Sequence, residues 1–198
     1  MFTNLSALES YAKENNVPIM QKDSIEYIKK IMQVTNVKSI LEIGTAIGYS
    51  AICLASFDEK VHVTTVEIDK DRFIEAIDNV KAFGLEDRID LVFNDAMNLT
   101  LVDKYDLILI DAAKAKNEAF FQKFKFNLKP NGIIITDNIG FHGLVGKSEE
   151  ITSKNLRGLV SKIENYIKFL EENEEFETSF VDVGDGLAVS KRRVENDK

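Results

Sequence analysis

The stretch Ile40-Leu-Glu-Ile-Gly-Thr-Ala-Ile-Gly-Tyr-Ser50 decides how this chain is read. A short β run breaks at Gly44 and a helical pattern takes over near Gly48, so a strand turns into a helix over two glycines that let backbone approach a ligand closely. Outward from it, strands are predicted over 39–43, 62–68, 89–93, 106–110 and 132–136. Helices are predicted over 49–56, 70–83 and 117–128, with Gly84 as a C-terminal stop. The unbroken apolar runs at 107–110 and 133–135 suit parallel strands buried on both faces. Upstream, residues 5–15 read as a helix, and Asp23 with Glu26 forms a capping-box-like start for a second one carrying Ile25, Ile28 and Met32 inward. Downstream, a helix over 153–172 precedes two β runs, 176–183 and 186–191. Only Gly184 and Asp185 separate them, too few for a parallel crossover, so they form an antiparallel hairpin. The expected fold is α/β: an open, doubly wound sheet, mostly parallel, with an antiparallel C-terminal edge hairpin. In such sheets ligands gather at the carboxyl ends of the strands.

The 198 residues are 44% hydrophobic and 29% charged, an ordinary globular balance that excludes disordered, collagenous and coiled-coil classes. We expect one domain over 1–198: N-terminal helices to 36, a sheet core over 37–193 and a tail over 194–198. Cys53 is the only cysteine, so no intrachain disulfide forms, and the N-terminus lacks the basic and apolar segments of a signal peptide. No apolar run approaches the roughly 18 residues of a membrane span. The expectation is a cytoplasmic protein with no membrane association. A net charge of −8 argues against a general polyanion binder working by long-range attraction. The cluster of Lys147, Lys154, Arg157, Lys162 and Lys168 still permits a local anionic partner.

Two sites stand at strand ends. In the first, the spacing is G-x-x-x-G preceded by the acid Glu42, unlike the fingerprint that seats a pyrophosphate. An acid in the turn suits a cofactor with an amino-acid tail, and this favours S-adenosylmethionine over a dinucleotide. Gly44 and Gly48 would admit it, Glu67 would accept hydrogen bonds from its ribose, and Asn94-Asp95-Ala96 would flank its adenine. In the second site, Asp111 and the pair Asp137-Asn138 end neighbouring apolar strands, offering three hard oxygen ligands for Mg²⁺ or a similar divalent cation. Lys114, three residues past Asp111, would lower a hydroxyl pKa or act as base. Phe141 and His142 would wall or gate the acceptor. Cys53, on an apolar helix, reads as core.

LEIGTAIGYS, TTVEID, YDLILIDAAK and IITDN, in this order, resemble the metal-dependent O-methyltransferases of the catechol and caffeoyl-CoA type. The resemblance spans nearly the whole chain and implies a Rossmann-like class I methyltransferase sheet. VPIMQK (17–22), IITDNIGFHGLV (134–145), LVSKIENY (159–166) and VGDGLAVSK (183–191) further resemble the bacterial tRNA 5-hydroxyuridine methyltransferases within that family. The resemblance implies that Met20, Ser50, Glu67, Asp95, Ala96 and Asp111 line the cofactor site, with Asp111, Asp137 and Asn138 on the metal. It also implies a homodimer that converts 5-hydroxyuridine to 5-methoxyuridine at tRNA wobble position 34. The anticodon stem-loop would then lie on Lys147, Lys154 and Arg157. The competing expectation is an O-methyltransferase of a small catechol-like or caffeoyl-CoA-like acceptor, with the same site chemistry. A non-catalytic relative of the fold is disfavoured by the intact Asp111, Lys114, Asp137 and Asn138.

Overall fold

The computed structural model describes residues 4–140, 143–146, 149 and 151–193. Seven strands run β1 (Ser39–Ile43), β2 (His62–Glu67), β3 (Ile89–Phe93), β4 (Tyr105–Ile110), β5 (Leu128–Asp137), β6 (Phe176–Val181) and β7 (Leu187–Arg192). The helices are α1 (Leu5–Glu14), α2 (Lys22–Thr35), α3 (Tyr49–Ala55), α4 (Lys70–Ala82), α5 (Asn117–Phe124) and α6 (Lys154–Glu171). One sheet contains all seven strands in the order β3-β2-β1-β4-β5-β7-β6. β1 to β5 pair in parallel, while β7 pairs antiparallel with both β5 and β6. The expected doubly wound sheet with an antiparallel edge hairpin is therefore the observed one. Chain order reverses between the neighbouring strands β1 and β4, which places the topological switch point, and the crevice it opens, at Ile43 and Ile110.

Strand alternation divides the core. Ile40, Leu107, Leu109, Ile133 and Ile135 face α2 and α3, whereas Leu41, Ile43, Ile108, Ile110 and Ile134 pack with the aromatic residues of α5 and α6. On the second face Phe121, fully buried, meets Phe176 and Phe169 edge-on at centroid distances of 5.0 and 5.5 Å. Among the described residues no helix is long and apolar enough to cross a membrane.

Most expected boundaries hold to within a residue, and the larger departures fall at three places. The helix expected over 117–128 stops at Phe124 and passes through a 3₁₀ turn, because Leu128 already pairs with Tyr105. The register then shifts, so residues 129–132, including Pro130, bulge before Ile133 meets Leu107. Helix α2 begins one residue before Asp23: Gln21 is its N-cap without a side-chain bond, and Asp23 falls in the first turn, so the capping box does not form. β6 also ends two residues early, at Val181, and β7 is shifted one residue later, leaving 182–186 as the connection.

Replacing Phe121 by alanine should lower unfolding free energy by about 3–5 kcal/mol, through lost burial and an unfilled cavity. Urea denaturation checks this; a loss below about 1 kcal/mol would contradict the packing described.

Candidate active site

The carboxyl ends of the parallel strands wall a cleft of about 520 Å³, a size that suits a small-molecule ligand. Its floor is the turn after β1. Gly44 has φ +106°, and a Cβ there would stand 2.0 Å from the Asp111 carbonyl oxygen, so no residue but glycine fits. Gly48, with φ +85°, begins α3 and packs toward Ala76, behind the cleft wall and outside its lining.

Glu67 ends β2 and is held by backbone. Its Oε2 accepts from Ala46 N at 2.7 Å, and its Oε1 accepts from Ile68 N and Asp69 N at 2.9 and 2.8 Å. Three fixed donors set the carboxylate's orientation in the cleft wall before any ligand arrives. Asp95 is fixed comparably: Oδ1 accepts from Met97 N at 2.8 Å, and Oδ2 lies 3.6 Å from Lys116 Nζ. Met20, Ser50 and Ala96 also line the cleft.

Glu42 corrects the sequence reading. It is fully buried and absent from the lining; Ser50 Oγ and Thr65 Oγ1 donate to its two oxygens. An alternating strand turns it toward α3, beneath the cleft, so it fixes Ser50 and makes no wall itself. Burial pushes its carboxyl up to about 7, against the two hydroxyl bonds and with added repulsion from Asp111 and Glu67.

At the other end of the cleft, Asp111 N donates to Ile43 O at 2.9 Å, locking β4 to the β1 turn. Lys114 Nζ donates to Asp111 Oδ1 at 2.8 Å and to the Asp137 carbonyl at 3.2 Å, bridging the two strand ends. Asp137 is buried. Burial and the Asp111 charge push its carboxyl up from the ordinary range against the pull of Lys114, and Ser24 Oγ stands 3.4 Å from its Oδ1. Asn138 adopts φ +64°, and its buried Oδ1 has no hydrogen-bond partner. A crowded carboxylate pair beside an orphaned amide oxygen is a donor set that fits a hard divalent cation. Among the described residues no three His, Cys, Asp or Glu side chains group around a metal position.

Tyr49, Ile68, Arg72, Phe120 and Asp185 also line the cleft and were not singled out from sequence. Asp185 was legible in principle, since a strand antiparallel to β5 must return its turn to the Asp137 end. Of the basic residues read as an anionic surface, Lys154 is exposed in the first turn of α6. Arg157 donates through Nε and Nη2 to the Ile151 carbonyl at 2.9 and 2.6 Å, which makes it a brace of the preceding loop. Lys147, Phe141 and His142 lie outside the described residues.

A family model described as O-methyltransferase matches residues 3–193. A solved Staphylococcus aureus structure, provisionally titled a caffeoyl-CoA O-methyltransferase, superposes with TM-score 0.92 and 35% identity, covering 97% of this chain and 93% of that one. The O-methyltransferase from Bacillus cereus, solved in complex with S-adenosylhomocysteine, shares the fold at TM-score 0.81 and 24% identity, over 98% of this chain and 92% of its own. A caffeoyl-CoA O-methyltransferase from Populus kitakamiensis is 26% identical over 89% of this chain and 78% of its own length.

Glu42 also sets a pH dependence. The folded protein keeps its proton between about 4.5 and about 7, where the unfolded chain gives it up. Stability therefore falls as pH rises through that window, by roughly 3 kcal/mol from this group. Urea midpoints in chelator should fall from pH 5 to pH 8, and Glu42→Gln should remove a large part of the fall, Asp137 supplying the rest. A midpoint that rises across the window would contradict the assignment.

Proposed function

This chain belongs to the O-methyltransferase family, and from that premise we propose that it transfers the methyl group of S-adenosylmethionine to an oxygen of 5-hydroxyuridine in tRNA, at wobble position 34. The observation that carries the transfer reading is the meeting of two unlike half-sites across one backbone contact. On one side is the pre-fixed Glu67 carboxylate, and on the other the oxygen set of Asp111, Asp137 and Asn138. Glu67 accepts from vicinal hydroxyls of a ribose, and Ile68, Ala96 and Phe120 offer apolar flanks to a purine. Ser50, braced by Glu42, and Asp111 face the amino-acid end.

S-adenosylmethionine, when bound, supplies an electrophilic methyl on a sulfonium. A divalent cation held by Asp111, Asp137 and Asn138 would supply charge that acidifies a hydroxyl. Lys114 adds a fixed positive charge beside the same strand ends and so favours loss of the acceptor's proton. Rigid strand ends fix the acceptor's direction toward the cofactor, and positioning contributes much of the acceleration.

The tRNA acceptor is supported by the strings VPIMQK, IITDNIGFHGLV and VGDGLAVSK and by exposed Lys154. With it go a cytoplasmic homodimer and an anticodon stem-loop resting near the start of α6. A second reading, a small catechol-like or caffeoyl-CoA-like acceptor, is favoured by the names of the relatives.

Purified protein with Mg²⁺, S-adenosylmethionine and tRNA containing 5-hydroxyuridine should yield 5-methoxyuridine by nucleoside mass spectrometry. EDTA should abolish the product and excess Mg²⁺ restore it. Asp111→Ala and Asn138→Ala should each remove turnover, with cofactor affinity better preserved in Asn138→Ala. Lys154→Ala should weaken tRNA binding and flatten its salt dependence. Full turnover in chelator would refute the metal reading. Methylation of a catechol with none on tRNA would transfer the assignment to the small acceptor.

A further inference from the structure

Residues 17–21 join α1 to α2 without regular structure, and Pro18, Ile19, Met20 and Gln21 form one wall of the cleft. Met20 is buried although it belongs to this irregular crossing. The crossing is fastened at both ends. At its start, Val17 N donates to Ala12 O at 2.8 Å, and α1 itself is anchored on α4 by Tyr11 Oη donating to Glu75 Oε1 at 3.0 Å. At its end, Lys22 Nζ lies 2.6 Å from Glu9 Oε2, bringing the first residue of α2 back onto α1. Glu9 Oε1 simultaneously accepts from Tyr49 Oη at 2.8 Å, and Tyr49 is a cleft residue on α3. One carboxylate thus ties together α1, the far end of the crossing and the cleft.

We propose that residues 17–22 are a strap that must lift for cofactor to enter and leave, and that Glu9 is its latch through Lys22 and Tyr49. The proposal rests on the S-adenosylmethionine reading of the cleft. Lys22 is largely exposed and absent from the cleft lining, so its ion pair fastens the strap without touching ligand. The pair exists in the protein without ligand. If it persists when ligand is bound, it cancels in the binding equilibrium and acts on the opening step alone. This separates a latch from an ordinary contact: a lost contact speeds release only and weakens affinity, whereas a lost latch speeds entry and exit together.

The experiment is stopped-flow association and release of S-adenosylhomocysteine, with calorimetry for affinity, on the unaltered protein, Lys22→Ala, Glu9→Ala and the double variant. Lys22→Ala should raise both rates about two- to fivefold, the range an exposed ion pair controls. Glu9→Ala, which also frees Tyr49, should raise both about tenfold, with the dissociation constant within about twofold of the original in each variant. Adding Lys22→Ala to Glu9→Ala should change nothing further, because the partner is already gone. Unchanged rates, or faster release with unchanged association, would overturn the latch. Failure of the unaltered protein to bind S-adenosylhomocysteine would overturn the cofactor reading itself, and the strap's role with it. Thermal unfolding of Lys22→Ala should stay cooperative; if Glu9→Ala does not fold, Lys22→Ala alone decides the question.

Discussion

Everything functional in this molecule is arranged around the approach of Gly44 to the Asp111 carbonyl. A methyl group at position 44 would stand 2.0 Å from that oxygen, so the turn after β1 and the end of β4 touch only because residue 44 has no side chain. The hydrogen bond from Asp111 N to Ile43 O holds the same two strand ends in register. Since β1 and β4 are neighbours at the place where strand order reverses, the contact lies on the floor of the crevice. Glu67, Asp95 and Ala96 line the cleft beyond β2 and β3 on one side of it, and Asp111, Asp137 and Asn138 beyond β4 and β5 on the other.

The electrostatics of the two sides differ in a way that suits different tasks. Glu67 is surrounded by backbone donors, which hold a carboxylate ready to accept hydrogen bonds. Asp137 is buried near a second carboxylate with one lysine between them, and Asn138 adds an oxygen with no donor to satisfy it. That side is short of positive charge. Glu42 lies beneath both, accepting from two hydroxyls and pushed up to about 7 by burial, and braces Ser50 in the cleft wall.

Much of this was legible in the sequence for a simple reason. A parallel strand buried on both faces is largely an apolar run, and the polar residues at its carboxyl end emerge at the sheet edge; strand ends therefore pointed to Glu67, Asp95, Asp111 and Asp137, all of which line the cleft. That reading failed for Glu42, which is inside β1, where alternation and not strand ending decides direction. It was silent on Tyr49, Arg72 and Asp185, whose places depend on helix rotation and on the return of the β6–β7 turn. The basic cluster could not reveal that the Arg157 guanidinium donates to the Ile151 carbonyl, because charge counts carry no geometry. Helix ends drifted where pairing began early, as at Leu128.

The central claim is that a methyl donor and an acceptor-side cation are held on opposite sides of the Gly44–Asp111 contact, close enough for direct transfer. NMR of the methyl carbon of S-[methyl-¹³C]adenosylmethionine bound to the protein, titrated with Mn²⁺, tests it most directly. The account predicts a bound methyl resonance that is broadened beyond detection by Mn²⁺ in the native protein and stays sharp in Asn138→Ala at the same concentration. A bound methyl resonance that stays sharp in the native protein at saturating Mn²⁺ would contradict it.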